Sequence, residues 1–167
     1  MHLLRIKTKI KKFNKVVSIE GDKSLSIRWA LIASQSENKS KSENLLLSED
    51  VINTLKCLKK LGVKLKISKN FCEINGVGLN GFEYKKNLIL NAGNSGTLGR
   101  LIMGLLTHTK YAIKLKGDKS LSKRDFLRII KPLKKFGAKF KSNLGKLPVT
   151  TVSYTHLTLP TKSRVGL

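Results

Sequence analysis

The sequence Gly-Asp-Lys-Ser-Leu-Ser-Ile-Arg at residues 21–28 recurs as Gly-Asp-Lys-Ser-Leu-Ser-Lys-Arg at residues 117–124, with seven of eight positions identical at an offset of 96. A second pair links LKKLGVKLK at residues 58–66 with LKKFGAKFK at residues 133–141, at an offset of 75. Internal repeats indicate that one structural unit occurs more than once. We therefore predict two copies of one unit, with an insertion or deletion of 21 residues between them, the difference between the two offsets.

The hydrophobic pattern around these repeats alternates between strand and helix character. A helix is clearest between Ser48, a capping residue, and Gly62, where apolar residues recur at helical spacing. Residues 39–44 are predicted to form a polar loop. The predicted strands are 16–20, 45–47, 63–67, 71–75, 87–91 and 111–116, and the predicted helices are 24–34, 49–61, 97–106 and 122–136, the last kinked or stopped at Pro132. This βαβαββ-like order predicts an α/β fold with helices on a sheet.

Composition limits the classes of protein to consider. The 167 residues carry 34 Lys and Arg against 10 Asp and Glu, a formal net charge of +24, and 40% are hydrophobic. That is enough for a core, but no apolar run is long enough for a membrane span and the first residues do not resemble a signal peptide. We expect a soluble cytoplasmic protein. The excess charge is mostly lysine and aromatic residues are only 6%, so we expect no nucleic-acid partner, although a basic nucleic-acid-associated α/β domain stays as an alternative.

Three segments combine a strand end, small polar residues and a nearby cation. In the first, Ser24 and Arg28 lie four residues apart, on one side of the predicted helix, and Lys23 precedes them. The repeat at residues 117–124 supplies the same residue types, and GNSGTLGR at residues 93–100 supplies a glycine-rich turn. Each segment alone is explained by helix capping. Together they predict a site for a ligand with at least two anionic groups.

These segments resemble the three N-terminal signatures of the 5-enolpyruvylshikimate-3-phosphate (EPSP) synthase family. The helix start at residues 48–51 and the Leu-Gly-Val and Phe-Gly-Ala echoes add to the resemblance, which covers residues 9–141 and about the first third of the family's length. It implies the enolpyruvyl transferase fold, an inside-out α/β barrel in which each of two domains has three βαβαββ units. With two related units, residues 1–149 would form an incomplete N-terminal domain, which we expect to fold poorly alone.

The resemblance also implies a reaction and its residues. The reaction transfers the enolpyruvyl group of phosphoenolpyruvate to the 5-hydroxyl of shikimate 3-phosphate through a tetrahedral intermediate, with no metal or organic cofactor, in an enzyme that is a monomer when full length. Lys23 would contact both substrates and Arg124 would share in catalysis. The implied substrate-binding residues are Lys23, Ser24 and Arg28 for shikimate 3-phosphate, and Asn94, Gly96, Thr97, Arg100 and Arg124 for phosphoenolpyruvate. The acid and base carboxylates would lie outside this chain, so the fragment is expected to be inactive.

Some positions depart from the family pattern. Leu98-Gly99 and Leu101 replace the usual Ala-Met and Pro, and Asp125 replaces the Pro that usually follows the arginine, so that Asp125 is predicted to weaken the anion affinity of Arg124 if the two pair. The sister UDP-N-acetylglucosamine enolpyruvyl transferase is the other alternative. Its lysine is followed by Asn and it lacks the arginine four residues on, so Ser24 and Arg28 argue against it.

The remaining features are expected to be structural or foreign. Cys57 is predicted on the polar side of its helix and Cys72 within a strand, both as structural thiols, and no histidine has metal-ligand spacing. Residues 150–167 contain five Thr and one Lys, whereas the preceding 149 residues contain five Thr and 27 Lys. We interpret residues 150–167 as a non-native tail, the alternative being an ordinary Thr-rich strand and loop.

Overall fold

The computed structural model describes residues 12, 14, 16–69 and 71–152. It is a mixed α/β structure with two sheets around a shared helical core. The helices are α1 (Lys23–Ala33), α2 (Glu49–Lys60), α3 (Gly96–Leu105), α4 (Lys119–Lys123) and α5 (Leu127–Lys135), and a 3₁₀ turn, Leu106–His108, follows α3. The strands are β1 (Lys39–Glu43), β2 (Lys64–Ser68), β3 (Phe71–Asn75), β4 (Ile89–Asn91), β5 (Ile113–Lys116), β6 (Lys139–Asn143) and β7 (Lys146–Val152).

Each sheet has a central strand from a hairpin. Sheet A has the order β1-β3-β2 and is antiparallel throughout. Sheet B has the order β4-β5-β7-β6, in which β4 and β5 are parallel and the other pairs antiparallel. The elements from β4 to β7, with α4 and α5 counted as one broken helix, follow the order βαβαββ, and those from α1 to β3 follow the same order without a first strand. The predicted α/β class is confirmed.

The two repeats relate these units in different ways. The echo at offset 75 pairs the end of α2 and β2 with the end of α5 and β6, which occupy equivalent places in the two units. The echo at offset 96 pairs the start of α1 with the start of α4, the first helix of one unit with the second of the other. The predicted 21-residue insertion or deletion is therefore wrong. Both segments share a capping geometry instead: Asp22 Oδ1 accepts from Leu25 N at 2.7 Å, and Asp118 Oδ1 accepts from Leu121 N at 2.6 Å.

Three predictions before α2 are wrong. Residues 16–20 form no strand, and Val16 is fully exposed, because no strand of the described residues lies beside them to pair with their backbone. Residues 39–43 form β1 rather than a loop. Lys and Ser alternate along this edge strand, and the serines are half-buried. The strand therefore lacks the alternation of apolar and polar residues by which most strands are recognised. Residues 45–47 form no strand, because Asn44 with a φ of 55° ends the extended chain before the buried Leu45.

The predicted helix at 122–136 is two helices, and the break precedes Pro132. Arg124 has extended backbone angles, and Asp125 Oδ1 accepts from the N–H of Leu127 at 2.7 Å, which starts α5. Pro132 lies inside α5. Further on, β7 includes residues 150–152, the first three residues of the segment interpreted as a foreign tail. The rest of that segment lies outside the described residues, and the interpretation stays a prediction.

One hydrophobic core joins the two units. It contains Leu55 and Leu58 of α2, Ile74 of β3, and Ile102 and Met103 of α3, all of them at most 1% exposed. The predicted apolar face of α2 is confirmed at its centre. Burying these side chains stabilises the fold by about 1.5–3 kcal/mol each. None of the helices in the described ranges has the length and apolarity that crossing a membrane requires.

Candidate functional site

An open pocket of about 400 Å³ lies where the starts of α1, α2 and α3 meet the end of α4. Six of the eight predicted site residues line it, together with two acidic residues that sequence reasoning did not place there. The lining residues are Lys23, Glu49, Asp50, Asn94, Gly96, Thr97, Arg100 and Arg124. Three cations from separate elements therefore converge on one space.

The start of α3 forms one wall of the pocket. Ser95 caps this helix by accepting from Leu98 N at 3.3 Å, so the N–H groups of Gly96 and Thr97 are the first of the helix. The positive end of a helix favours an anion. A side chain at Gly96 would place its Cβ 2.8 Å from one nitrogen of Arg100 and 3.1 Å from one of Arg124. Glycine thus lets both guanidinium groups approach the helix start.

The two arginines are held by different contacts. Arg124 Nη2 donates to Asn94 Oδ1 at 3.3 Å, which ties the end of α4 to the loop before α3. Arg100 donates to the carbonyl oxygens of Gly96 at 3.3 Å and Asp125 at 3.2 Å. Its guanidinium carbon also lies 5.2 Å from the centroid of the buried Phe126 ring, a cation–π contact. These contacts hold both side chains at the pocket, which reduces the ordering cost of binding an anion there.

The Asp125 carboxylate does not form the pair with Arg124 that would weaken the anion affinity of that arginine. The carboxylate accepts from Leu127 N, and the carbonyl oxygen of Asp125 accepts from Arg100, while Arg124 turns to Asn94. The residue that departs from the family pattern therefore starts α5 and positions one arginine.

The acidic residues of the pocket lie in the first turn of α2. Lys23 Nζ is 3.1 Å from Asp50 Oδ2, and these side chains are 51% and 21% exposed. Sequence reasoning placed these acidic residues only in a helix start, at residues 48–51, and not in a site. The signal was present in the helix-start motif at residues 48–51, but nothing in the sequence shows that this start faces α1.

Ser24 and Arg28 are not brought into this pocket. The Ser24 carbonyl accepts from Arg28 Nη1 at 3.1 Å, along the exposed side of α1. Arg28 lines a neighbouring apolar pocket of about 340 Å³ with Leu31, Ile32, Gln35, Leu101 and Leu105. The described part of the chain thus separates one cation, Arg28, from the three of the main pocket.

With this geometry established, similarity to known proteins decides the family. The family model described as EPSP synthase (3-phosphoshikimate 1-carboxyvinyltransferase) matches residues 7–164. This chain belongs to the EPSP synthase family. The resemblance stated from the sequence motifs is confirmed.

Known members of the EPSP synthase family show how much of the protein this chain represents. It is 41% identical over 148 residues to the 3-phosphoshikimate 1-carboxyvinyltransferase of Thermoanaerobacter sp. (strain X514), covering 88% of this chain and 34% of the relative. The enzyme of that name from Ruthia magnifica subsp. Calyptogena magnifica is 45% identical over 134 residues, which cover 80% of this chain and 30% of the relative. The EPSP synthase structure from Acinetobacter baumannii matches with a TM-score of 0.78 and 34% identity, covering 84% of this chain and 32% of that one. The chain spans about a third of the length of these relatives.

Neither of the two thiols lines the pocket. Cys57 is buried rather than on the polar side of α2, which corrects the sequence prediction, and its Sγ donates to the Asn91 carbonyl at 3.4 Å. Burial raises the pKa of Cys57 and of Cys72 from 9.0 to about 11. Such thiols are poor nucleophiles at neutral pH. In the described ranges, no group of three or more His, Cys, Asp or Glu side chains is arranged to hold a metal ion.

Proposed function

We propose that this chain is part of an enzyme that transfers the enolpyruvyl group of phosphoenolpyruvate to the 5-hydroxyl of shikimate 3-phosphate and releases phosphate. The observation that carries the proposal is the convergence of Lys23, Arg100 and Arg124 on the start of α3, in a chain of the EPSP synthase family. Phosphoenolpyruvate carries a carboxylate and a phosphate, which suit three cations and free helix N–H groups.

The pocket residues have separate roles in binding and in the reaction. Arg124, with Asn94, and the N–H groups at Gly96 and Thr97 bind the phosphoenolpyruvate anion, and Arg100 supports them. Lys23 exchanges its contact with Asp50 for a contact with both substrates. The 5-hydroxyl oxygen adds to the alkene carbon that carries the phosphate and gives up its proton, while the methylene carbon gains a proton and becomes a methyl group. The tetrahedral intermediate then loses a proton and expels phosphate, which regenerates the alkene. Preorganised cations stabilise the charge that develops on oxygen during these steps.

Ser24 and Arg28 have a different place in the proposal. They hold shikimate 3-phosphate on the exposed side of α1, outside the pocket that receives phosphoenolpyruvate. The acid and base carboxylates come from the part of the family's length that this chain does not span. We further propose that the whole enzyme is monomeric and cytoplasmic, a location that suits two free, buried thiols.

A chimera tests the proposal. Residues 1–149 replace the matching third of the Thermoanaerobacter enzyme, and phosphate release is measured with phosphoenolpyruvate and either shikimate 3-phosphate or UDP-N-acetylglucosamine. We expect turnover only with shikimate 3-phosphate. Lys23→Ala and Arg28→Ala should each reduce kcat/KM by roughly 10²- to 10³-fold or more. Lys56→Ala, an exposed lysine of α2, is the matched control and should leave the rate unchanged. Turnover with the UDP-sugar, or near-normal kinetics for Lys23→Ala, contradicts the assignment.

A further inference from the structure

Phe126 is a fully buried residue in the short segment between α4 and α5. Its ring lies against α3, because a side chain at Gly99 would place its Cβ 3.2 Å from Cε1 and 3.3 Å from Cζ of that ring. These distances are tighter than most contacts of a real Cβ, so glycine at this position lets the ring reach the helix. The next residue of α3 is Arg100, whose guanidinium lies over the same ring. Phe126 therefore supports the turn of α3 that carries one of the pocket arginines.

Two neighbouring residues hold the Arg100 guanidinium in different ways. The ring of Phe126 provides the cation–π contact, with 5.2 Å between the guanidinium carbon and the ring centroid. The carbonyl oxygen of Asp125 accepts from Arg100 Nη2 at 3.2 Å. A ring below the guanidinium and an acceptor at its edge together restrict both its position and its rotation. The orientation of Arg100 thus depends on where the segment 125–126 is held.

The β6–β7 hairpin holds that segment from another side. Its two turn residues, Leu144 and Gly145, have φ angles of 49° and 71°, in the left-handed region that two-residue hairpin turns use. The Gly145 carbonyl accepts from Phe126 N at 2.9 Å. A side chain at Gly145 would overlap the side chain of Leu127, the residue that follows the ring. The turn therefore packs directly on the residues that place Phe126.

We propose that Phe126 is a positioning residue of the anion pocket, which acts through Arg100 and is itself held by the β6–β7 turn. Neither Phe126 nor Gly145 lines the pocket, so their effect on a ligand passes through the residues that do. An arginine held in its binding orientation loses less freedom when an anion binds. The proposal deepens the proposed function and rests on it for the identity of the anion, phosphoenolpyruvate.

A double-mutant cycle tests whether Phe126 acts through Arg100. Phe126→Met keeps an apolar side chain in the core and removes the ring. NMR titration of the 167-residue chain measures the binding of inorganic phosphate and of phosphoenolpyruvate. Phe126→Met should weaken the binding of both about two- to fivefold, the size of one cation–π contact at an exposed site, and should have no further effect in the Arg100→Ala background. Equal losses in the two backgrounds overturn the proposal, because a general loss of stability does not depend on Arg100.

The two ligands separate this proposal from the proposed function. Inorganic phosphate requires only the cations and the helix start, whereas phosphoenolpyruvate is the substrate assigned to the pocket. Coupling between Phe126 and Arg100 in phosphate binding, without any binding of phosphoenolpyruvate, supports the positioning role and contradicts the assignment of the substrate. Binding of neither anion contradicts both.

Gly145→Ala tests the turn and leaves the ring in the sequence. Its methyl group overlaps Leu127 and should displace the Phe126 ring, so the Arg100 Nε–H resonance, which the ring current of Phe126 shifts, should move towards its position in Phe126→Met. Gly78→Ala is the matched control. Gly78 also has a positive φ, 73°, but its added Cβ would meet Glu37 Cγ at an ordinary 3.7 Å.

Both alanine variants carry the backbone strain of a side chain in the left-handed region. Only Gly145→Ala should move the Arg100 resonance and weaken phosphate binding, and circular dichroism checks that both variants fold. An unchanged Arg100 resonance in folded Gly145→Ala overturns the role of the turn. So does an equal shift of that resonance in Gly78→Ala.

Discussion

Lys23 and Asp50 form an ion pair, 3.1 Å between Nζ and Oδ2, that joins the start of α1 to the start of α2 at the rim of the anion pocket. The pair joins two elements that are remote in sequence, and it places a carboxylate beside one of the pocket's cations. A bound phosphate must compete with this carboxylate for the lysine. Asp50 therefore sets how strongly the pocket attracts its ligand.

Asp50→Asn should tighten the binding of inorganic phosphate by this chain. Removing a negative charge a few ångströms from a bound anion is worth about 1 kcal/mol in a water-exposed site, or about fivefold in Kd. Titration by NMR measures the change. Glu43→Gln removes an exposed carboxylate of β1 outside the pocket and should leave Kd unchanged. Weaker phosphate binding by Asp50→Asn would show that the carboxylate's main effect is to position Lys23.

Gly96→Ala should weaken phosphate binding at least tenfold. The added methyl group would meet guanidinium nitrogens of Arg100 and Arg124 at 2.8 and 3.1 Å, so both side chains must shift. Gly104→Ala lies in the same helix with nothing within 4 Å of its added Cβ. That control should bind normally and gain up to about 1 kcal/mol of stability from helix propensity. The idea fails if the two alanine variants bind phosphate equally well.

The buried thiols predict a loss of stability at alkaline pH. The pKa of Cys57 and of Cys72 is about 11 in the folded chain against an ordinary 9.0. Above pH 9 the unfolded state releases these protons and the folded state keeps them. Their contribution is thus complete below pH 9 and is lost as pH rises towards 11, by about 1.4 kcal/mol per pH unit for each thiol. Urea unfolding at pH 8 and pH 10 measures it.

The double variant C57A/C72A is the control for that experiment. It removes both titrating thiols but keeps the lysines, which also begin to lose protons in this range. Its free energy of unfolding should fall less between pH 8 and pH 10 than that of the unsubstituted chain. Parallel decreases in the two proteins would show that the thiols are not responsible.

Ending the chain at residue 149 should destabilise sheet B. Ile113 N donates to Thr151 Oγ1 at 3.1 Å, and β5 pairs with residues 149–151. Each buried group left without a partner costs about 1–3 kcal/mol. Thermal melts followed by circular dichroism should show a broad, lower transition for residues 1–149 and a higher one for residues 1–152. Coincident melts would mean that the last residues of β7 contribute nothing.

The sequence predicted the parts of the fold that carry their own local signals. The helix after Ser48 and the strand at residues 71–75 have strong periodicity, and they match α2 and β3. The strand at 39–43 was missed because its inward positions are serines, which become half-buried only through pairing with β3. The strand predicted at 16–20 is wrong. Its side chains suit a strand, but no strand of the described residues pairs with its backbone.

The candidate site was predictable only in part, because its residue types have a local sequence signal and its geometry does not. Motifs identify which residue types suit an anion, and six of the eight predicted residues do line one pocket. Motifs do not report which way a helix faces. Arg28 follows Lys23 by little more than one helical turn, yet it lines a different pocket, and Asp50 enters through a long-range contact that no local pattern encodes.

The near-identical starts of α1 and α4 have a consequence for how this duplication is interpreted. In the first copy, Lys23 lines the pocket and Arg28 does not. In the second copy, Arg124 lines the pocket and Lys119 does not. A residue-by-residue alignment of the two segments would therefore assign to Lys119 the place in the pocket that Lys23 holds. The structural role that the two segments share is the aspartate cap at the start of each helix. The less similar pair of repeats, at residues 58–66 and 133–141, is the one that occupies equivalent places in the two units.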